Sequence, residues 1–248
     1  MAKNQGIVRL RGSIDGVTYT EGVNGRISRS KSSLDKAKMD SNPKFNVLRL
    51  YQKELRTFSK YGALLRIGIT SELKQVKASR GTQRLNKILY RIKEEDKTNR
   101  MGERQVSEGL QTAKGKSMLK SFDFYGKTNV SALLGKRFDL DMASGIFRIP
   151  EFNPAYDVFA PKNVSHVQFR ALIIGLDAAT LEVSVKRSSV VNLALEDTLT
   201  DLLLDTDGMP DVTTQLFYVV QVLFFRELNG FQDLAATDSA ALTIMEIG

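Results

Sequence analysis

Apolar and polar positions alternate with period two at both ends of this chain and recur at helical spacing between them. In the first forty residues Ile7, Arg9 and Arg11 alternate with Val8 and Leu10, and Val17 and Tyr19 alternate with Thr18 and Thr20. Successive side chains of a strand point to opposite faces, so this is a strand pattern. Asp15-Gly16 and Asn24-Gly25 are dipeptides that close tight hairpins. Residues 1–40 are therefore expected to form two or three antiparallel strands. Their apolar content is thin: Ile7, Val8, Leu10, Ile14, Val17, Tyr19, Val23 and Ile27. So small a sheet is marginal in water. It is expected either to pack on its own domain or to pair with a neighbouring molecule through its open edges.

Residues 30–41 read as a polar connector. Asn42-Pro43 then opens a helix, because asparagine caps and proline suits the first helical position. Phe45, Leu48, Leu55 and Phe58 recur near helical spacing to about Leu65, with Tyr51 and Ala63 close to the same side. Arg49, Lys53, Arg56 and Lys60 lie largely on the opposite side. Ile67 to Lys77 reads as a further helix or a bent extension, broken at Arg80-Gly81. Thr82 is expected to cap a helix built on Leu85, Ile88, Leu89 and Ile92, surrounded by Arg84, Lys87, Arg91 and Lys93. Met101 to Lys120 is a weaker helix or loop, since Gly102, Gly109 and Gly115 disfavour helix.

From Phe122 the period returns to two. Phe138–Met142 and Ile146–Ile149 read as a hairpin, and Pro150, Pro154 and Pro161 mark a loop. Strands are expected over Val164–Leu176, Leu181–Lys186, Thr213–Leu228 and Ala240–Ile247, with Val190–Leu204 apolar between acids and Asn229-Gly230 a strong turn. Six to eight strands with regular turns point to an antiparallel β-sandwich. The expected class is α+β: a basic hairpin arm over 1–40, a basic helical segment over 41–121, and a β-sandwich over 122–248.

Composition narrows the chemistry. The 248 residues include no cysteine, no tryptophan and one histidine, which removes disulfides, thiolate metal sites and cysteine nucleophiles. No secretory signal is read at the start. The longest apolar run, Leu216 to Phe225, is interrupted by Gln221 and is too short to span a membrane. A cytoplasmic or virion location is expected. Charge is divided unevenly. Residues 1–120 hold 27 Lys and Arg against 11 Asp and Glu, a balance of +16, and residues 121–248 hold 9 against 17, a balance of −8. Such asymmetry fits a nucleic-acid-binding half, or a basic end that meets the acidic end of the next copy.

No catalytic constellation is evident. His166 stands alone on an expected strand, and catalysis would need a nucleophile or base beside it. The pairs Asp139/Asp141 and Asp205/Asp207 do not match the twelve-residue calcium loop. Gly12–Gly16 lacks the Gly-Lys-Ser/Thr ending of a phosphate loop. No enzyme activity and no cofactor are expected. The basic stretch from Arg26 to Arg104, with Tyr51, Tyr61 and Tyr90 nearby, could serve phosphate backbones, but carries no base-reading signature.

The segments Met1-Ala-Lys3, Gly6-Ile-Val-Arg-Leu-Arg-Gly12, Val17-Thr-Tyr19 and the basic turn to Arg26 resemble the start of a family of uncharacterised Bacteroidota proteins. Asn42-Pro43-Lys44-Phe45, Phe152-Asn-Pro154 and Val158-Phe-Ala-Pro161 are also similar. The resemblance covers the first sixty or so residues and the proline-containing segment. It implies a glycine-rich hairpin, an Asn-Pro-led helix, a β-rich C-terminal half, and a source in such bacteria or their viruses. It implies no activity.

The sequence thus leads to a non-enzymatic protein that self-assembles into a filament, tube or virion-like array. Ile7, Val8, Leu10, Val17, Tyr19 and Ile27 are the expected interface. The alternative is nucleic-acid binding through Arg49, Lys53, Arg56, Lys60, Arg84, Lys87 and Arg91.

Overall fold

The computed structural model describes residues 2–3, 10–22, 25–30, 36–76 and 80–248. They divide into two compact units, 1–50 and 51–248.

The first unit holds strands β1 (Ala2–Lys3), β2 (Gly12–Ile14), β3 (Val17–Gly22) and β4 (Gly25–Ser30), antiparallel in the order β1-β4-β3-β2. Ile14 pairs with Val17, leaving Asp15 (φ 46°) and Gly16 (φ 75°) as a two-residue turn. Positive φ at both positions matches the twist of the flanking strands. Gly25, expected in the second turn, instead pairs with Gly22 and starts β4. Residues 23 and 24 lie outside the described residues. Helix α1 (Lys36–Ser41) follows. Asn42 accepts from the Lys44 N–H at 3.0 Å and caps a 3-10 turn, Pro43–Phe45, that runs into α2 (Asn46–Gly68). Among the residues of this unit whose side chains are described none is buried.

The second unit continues α2 and adds α3 (Thr70–Gln75), α4 (Gly81–Lys93), α5 (Val106–Leu110), α6 (Ala113–Leu119) and α7 (Val130–Leu133). Then come β5 (Asp139–Asp141), β6 (Ile146–Phe152), α8 (Pro154–Asp157), β7 (His166–Asp177), β8 (Glu182–Arg187), β9 (Val191–Ala194), β10 (Thr200–Asp205), β11 (Gln215–Leu228), β12 (Phe231–Ala235) and β13 (Ala241–Ile247). The class is α+β with several antiparallel sheets. The long strands β7 and β11 pair at the centre of a six-stranded sheet. β8 and β9 share the outer edge of β7, and β12 and β13 share that of β11. β10, β6 and β5 form a separate sheet.

Alternation along the two central strands makes two cores. Leu172, Ile174, Leu176, Phe217, Val219 and Leu223 face the helices, packing with Phe58, Tyr61, Leu65, Leu85, Leu89 and Ile92. Phe169, Ile173, Tyr218, Val220, Val222 and Phe224 face the three-stranded sheet, packing with Phe147, Ile149, Phe152, Leu202 and Leu204. The helices therefore share a core with the strands instead of closing one of their own. The sequence suggests divisions at 40 and 121, whereas the compact units divide at Leu50/Tyr51.

Three local expectations change. The apolar stripe expected along α2 is covered only from its middle onward. Phe58 is buried, but Leu48, Tyr51 and Leu55 remain 40–50% exposed. Thr82 caps nothing; its hydroxyl accepts from Arg66 at 2.6 Å, and α4 starts from Arg80 in the left-handed region. Gly109 and Gly115 mark close packing. A Cβ on Gly109 would lie 2.1 Å from the Ile92 carbonyl oxygen, and one on Gly115 2.0 Å from that of Gly109.

Candidate assembly surfaces and buried charge clusters

Of the expected interface residues, Ile7 and Val8 lie outside the described residues. Leu10 precedes β2 and is half-buried. Tyr19 sits in mid-sheet, opposite Gly12 on one side and Ser28 on the other, and Val17 stands between Ile14 and Ser30. Directly opposed residues share a face, so Ile14, Val17 and Tyr19 form one apolar strip. Ile27 pairs with Thr20 and belongs to the other face. The strip is short and half-exposed, and β2 leaves its outer edge unpaired among the described strands.

The seven basic residues separate into two groups. Arg49 donates to the carbonyls of Met39 (2.5 Å) and Asp40 (2.9 Å) and to the Asn46 side chain, which fastens α1 to the start of α2. Arg84 turns inward: it donates to the carbonyls of Asp123 and Phe124 at 2.8 Å each and lies 5.4 Å from the centre of the Phe122 ring. Neither is a free surface cation, a correction to the expected basic surface. Lys53 pairs with Glu103 at 3.2 Å. Arg56, Lys60, Lys87 and Arg91 are exposed and make no ion pair among the described residues.

Several charges are buried where the sequence suggests only apolar packing. Glu54, on α2, is 1% exposed. It accepts from Lys93, from Arg104 at 2.8 and 3.1 Å, and from the Gly102 N–H at 2.7 Å. Burial opposes its ionisation, but these donors outweigh it and hold its pKa down to about 2. Lys93 is equally buried, its ammonium 4.5 Å from the centre of the Tyr90 ring. Glu72 accepts from Arg187 at 3.0 Å and Ser71 at 2.8 Å. Asp96 accepts the N–H groups of Thr98, Asn99 and Gln105. Burial again works against both carboxylates, and the hydrogen bonds hold both below the usual carboxylate range.

Gln221, the polar break in the apolar run, donates to Gln75 and to the Tyr125 hydroxyl at 2.7 Å each, while that hydroxyl donates to the Glu72 carbonyl at 2.8 Å. It ties α3 to the middle of the central sheet. Asp123 is a counter-case. It accepts from the Leu242 N–H and the Thr243 hydroxyl, but burial dominates and raises its pKa.

These shifts have a sign. A carboxyl whose folded pKa is depressed adds stability above its unfolded value and loses it as pH falls through the folded one. Glu54, Glu72 and Asp96 act this way, and Asp123 acts oppositely. The melting temperature is therefore expected to hold down to about pH 4.5 and to fall steeply towards pH 2. Circular dichroism melts across that range check this, and a flat profile contradicts it.

His166 opens β7 opposite Phe225. Its Nδ1 lies 2.9 Å from the Ser165 hydroxyl and its Nε2 3.5 Å from Glu227. The Ser165 oxygen also accepts the Glu227 N–H at 2.8 Å, which locks together the ends of β7 and β11. Asp141 accepts the Ala143 N–H and the Ser144 hydroxyl, and Asp205 accepts the Asp207 N–H, so both carboxylates shape turns. No group of three His, Asp or Glu among the described residues has the arrangement to hold a metal. A groove of about 300 Å³ is lined by Lys60, Tyr61, Gln105, Ser107 and Ala179. The Tyr61 hydroxyl is buried without a partner among the described residues, and burial raises its pKa far above the usual value. Among the described residues no helix is long and apolar enough to cross a membrane.

No protein-family profile, curated protein or solved structure matches this chain.

Proposed function

We propose that this chain is a non-enzymatic structural subunit that assembles with copies of itself into a filament, tube or virion-like array. The first unit carries the reading. It is a four-stranded sheet and a helix in which no residue with a described side chain is buried. A fold whose apolar side chains remain half-exposed gains little from the hydrophobic effect, and small sheets need cover to be stable. Its apolar strip of Ile14, Val17 and Tyr19 and its open β2 edge suit cover by a second copy. The second unit differs in kind, with two continuous cores. We read the packing of its two sheets as a β-sandwich with helices on the outer face of the larger one. Kinship with the Bacteroidota family, and a place in the cytoplasm or a virion, belong to the same proposal.

The test is removal of residues 1–30. The full chain, treated with nuclease, is expected to give particles of many-fold chain mass by light scattering and regular objects by electron microscopy. The truncated chain is expected to give single-chain mass with its melting transition retained. Polymers that persist without residues 1–30 would overturn the N-terminal sheet as the connector.

A second reading is favoured by Arg56, Lys60, Lys87 and Arg91, which are exposed without ion pairs among the described residues. It is binding to nucleic-acid backbones. It predicts co-purifying nucleic acid that is lost as salt rises.

A further inference from the structure

The second unit has two unlike outer surfaces. Helices cover one side of the central sheet and the β10-β6-β5 sheet covers the other. The outer helical surface and the outer face of the small sheet therefore lie on opposite sides of the unit.

On the small sheet, Leu203 stands opposite Arg148 and Arg148 opposite Asp139, while Asp205 and Asp141 both stand opposite Ile146. Directly opposed residues share a face, and residues two apart along a strand share it too. The face thus presents Asp139, Asp141 and Asp205 around Leu203, which is 49% exposed. Its one arginine, Arg148, is taken by Asp201 at 2.7 Å. The Asp197 carboxylate joins Asn153 (2.7 Å) and Tyr156 (3.4 Å) at the end where β6 leaves and β10 begins. Exposed apolar side chains lie there: Tyr156 and Leu199 are 69% and 73% exposed. On the helical side, Arg56, Lys60, Lys87 and Arg91 point away from the buried stripes of α2 and α4, and exposed Leu55 adjoins Arg56.

We propose that these two surfaces meet between copies, the acidic sheet face of one chain docking on the basic helical face of the next. The inference rests on the assembly reading and adds where the second units touch. The surfaces have opposite charge, and each mixes exposed apolar groups with a charged surround, the usual anatomy of an interface. They sit on opposite sides of one rigid core, so a chain cannot satisfy both by folding on itself. Contacts of that head-to-tail kind extend open polymers or rings, and this one acts only between copies already held together by their N-terminal sheets, so it does not polymerise a chain that lacks residues 1–30.

The test uses two full-length double variants, Asp139→Lys/Asp205→Lys and Lys87→Glu/Arg91→Glu. The first carries two basic surfaces and the second two acidic ones. In low salt, each alone is expected to scatter as single chains or small N-terminally linked species where the parent polymerises. Their equimolar mixture is expected to polymerise again, and that rescue also shows that both variants are folded. Polymers of parental size from each variant alone overturn this contact and leave the assembly reading standing. So does a mixture that stays small while both variants melt like the parent. A parent that never polymerises overturns the assembly reading and this contact with it. Nucleic-acid binding lost only in Lys87→Glu/Arg91→Glu, again with no polymer, assigns the helical face to that other partner.

Discussion

Glu54→Ala is expected to remove about 3–5 kcal/mol of folding stability, the usual cost of breaking one side of a buried ion pair. The substitution leaves Lys93 1% exposed with its counter-charge gone, and orphans the Gly102 N–H and two Arg104 donors. Among the described residues, an ammonium in that position keeps the faces of Tyr51 and Tyr90, at 5.7 and 4.5 Å. For a chain of this size the loss corresponds to a melting temperature lower by roughly 10 °C. Glu54→Gln should fall between the parent and alanine, because the amide oxygen still accepts while the charge is lost. The discriminating variant replaces both partners. Glu54→Leu/Lys93→Met removes the burial cost together with the attraction and should recover most of the loss. Urea titrations of the four proteins decide the matter. A loss below about 1 kcal/mol in Glu54→Ala would show that the cluster behaves like a screened surface pair.

Glu54 also shows where sequence reading stops. Period-two alternation and turn dipeptides locate strands well, because both are local. Asp15-Gly16 and Asn229-Gly230 both close two-residue turns, although the strand after the second, β12, is not among those expected, and the Phe138–Ile149 hairpin appears as β5 and β6. Helical spacing finds α2 and α4 equally well. It cannot say what covers a stripe, and half of the α2 stripe is left open. Polarity by residue type places every charge outside, yet Glu54, Glu72, Lys93 and Asp96 are all buried. A local signal existed for the first: Glu54 falls at helical spacing with Phe58, Tyr61 and Leu65, on the buried side. For Arg84 there was none, since it donates to backbone carbonyls that no side-chain pattern encodes, and for Arg49 the carbonyls of Met39 and Asp40 are equally uncoded. The acidic sheet face was within reach, as Asp139 and Asp141 are two apart on one strand, but its pairing with β10 depends on chain separated by sixty residues.

Gly109→Ala sets local preference against packing, with opposite signs. Alanine is favoured over glycine inside a helix by about 1 kcal/mol, so propensity alone predicts a more stable protein. The structure predicts a less stable one. The new Cβ would stand 2.1 Å from the Ile92 carbonyl oxygen and 2.8 Å from its carbon, distances that only movement of α4 or α5 can relieve. The obstacle is backbone, so no side-chain rotation yields the space. Overpacking of this kind costs about 1–3 kcal/mol, sometimes more. Because the clash is main chain against Cβ, the upper end applies, and the net loss is expected to be about 2 kcal/mol. Gly115→Ala meets the Gly109 carbonyl oxygen at 2.0 Å and should lose as much. The double variant should lose less than the two together, because both strain the same stack of α4, α5 and α6 and one displacement relieves both. Denaturation midpoints of the three variants measure this, and a Gly109→Ala protein more stable than the parent would mean that α5 does not press on the end of α4.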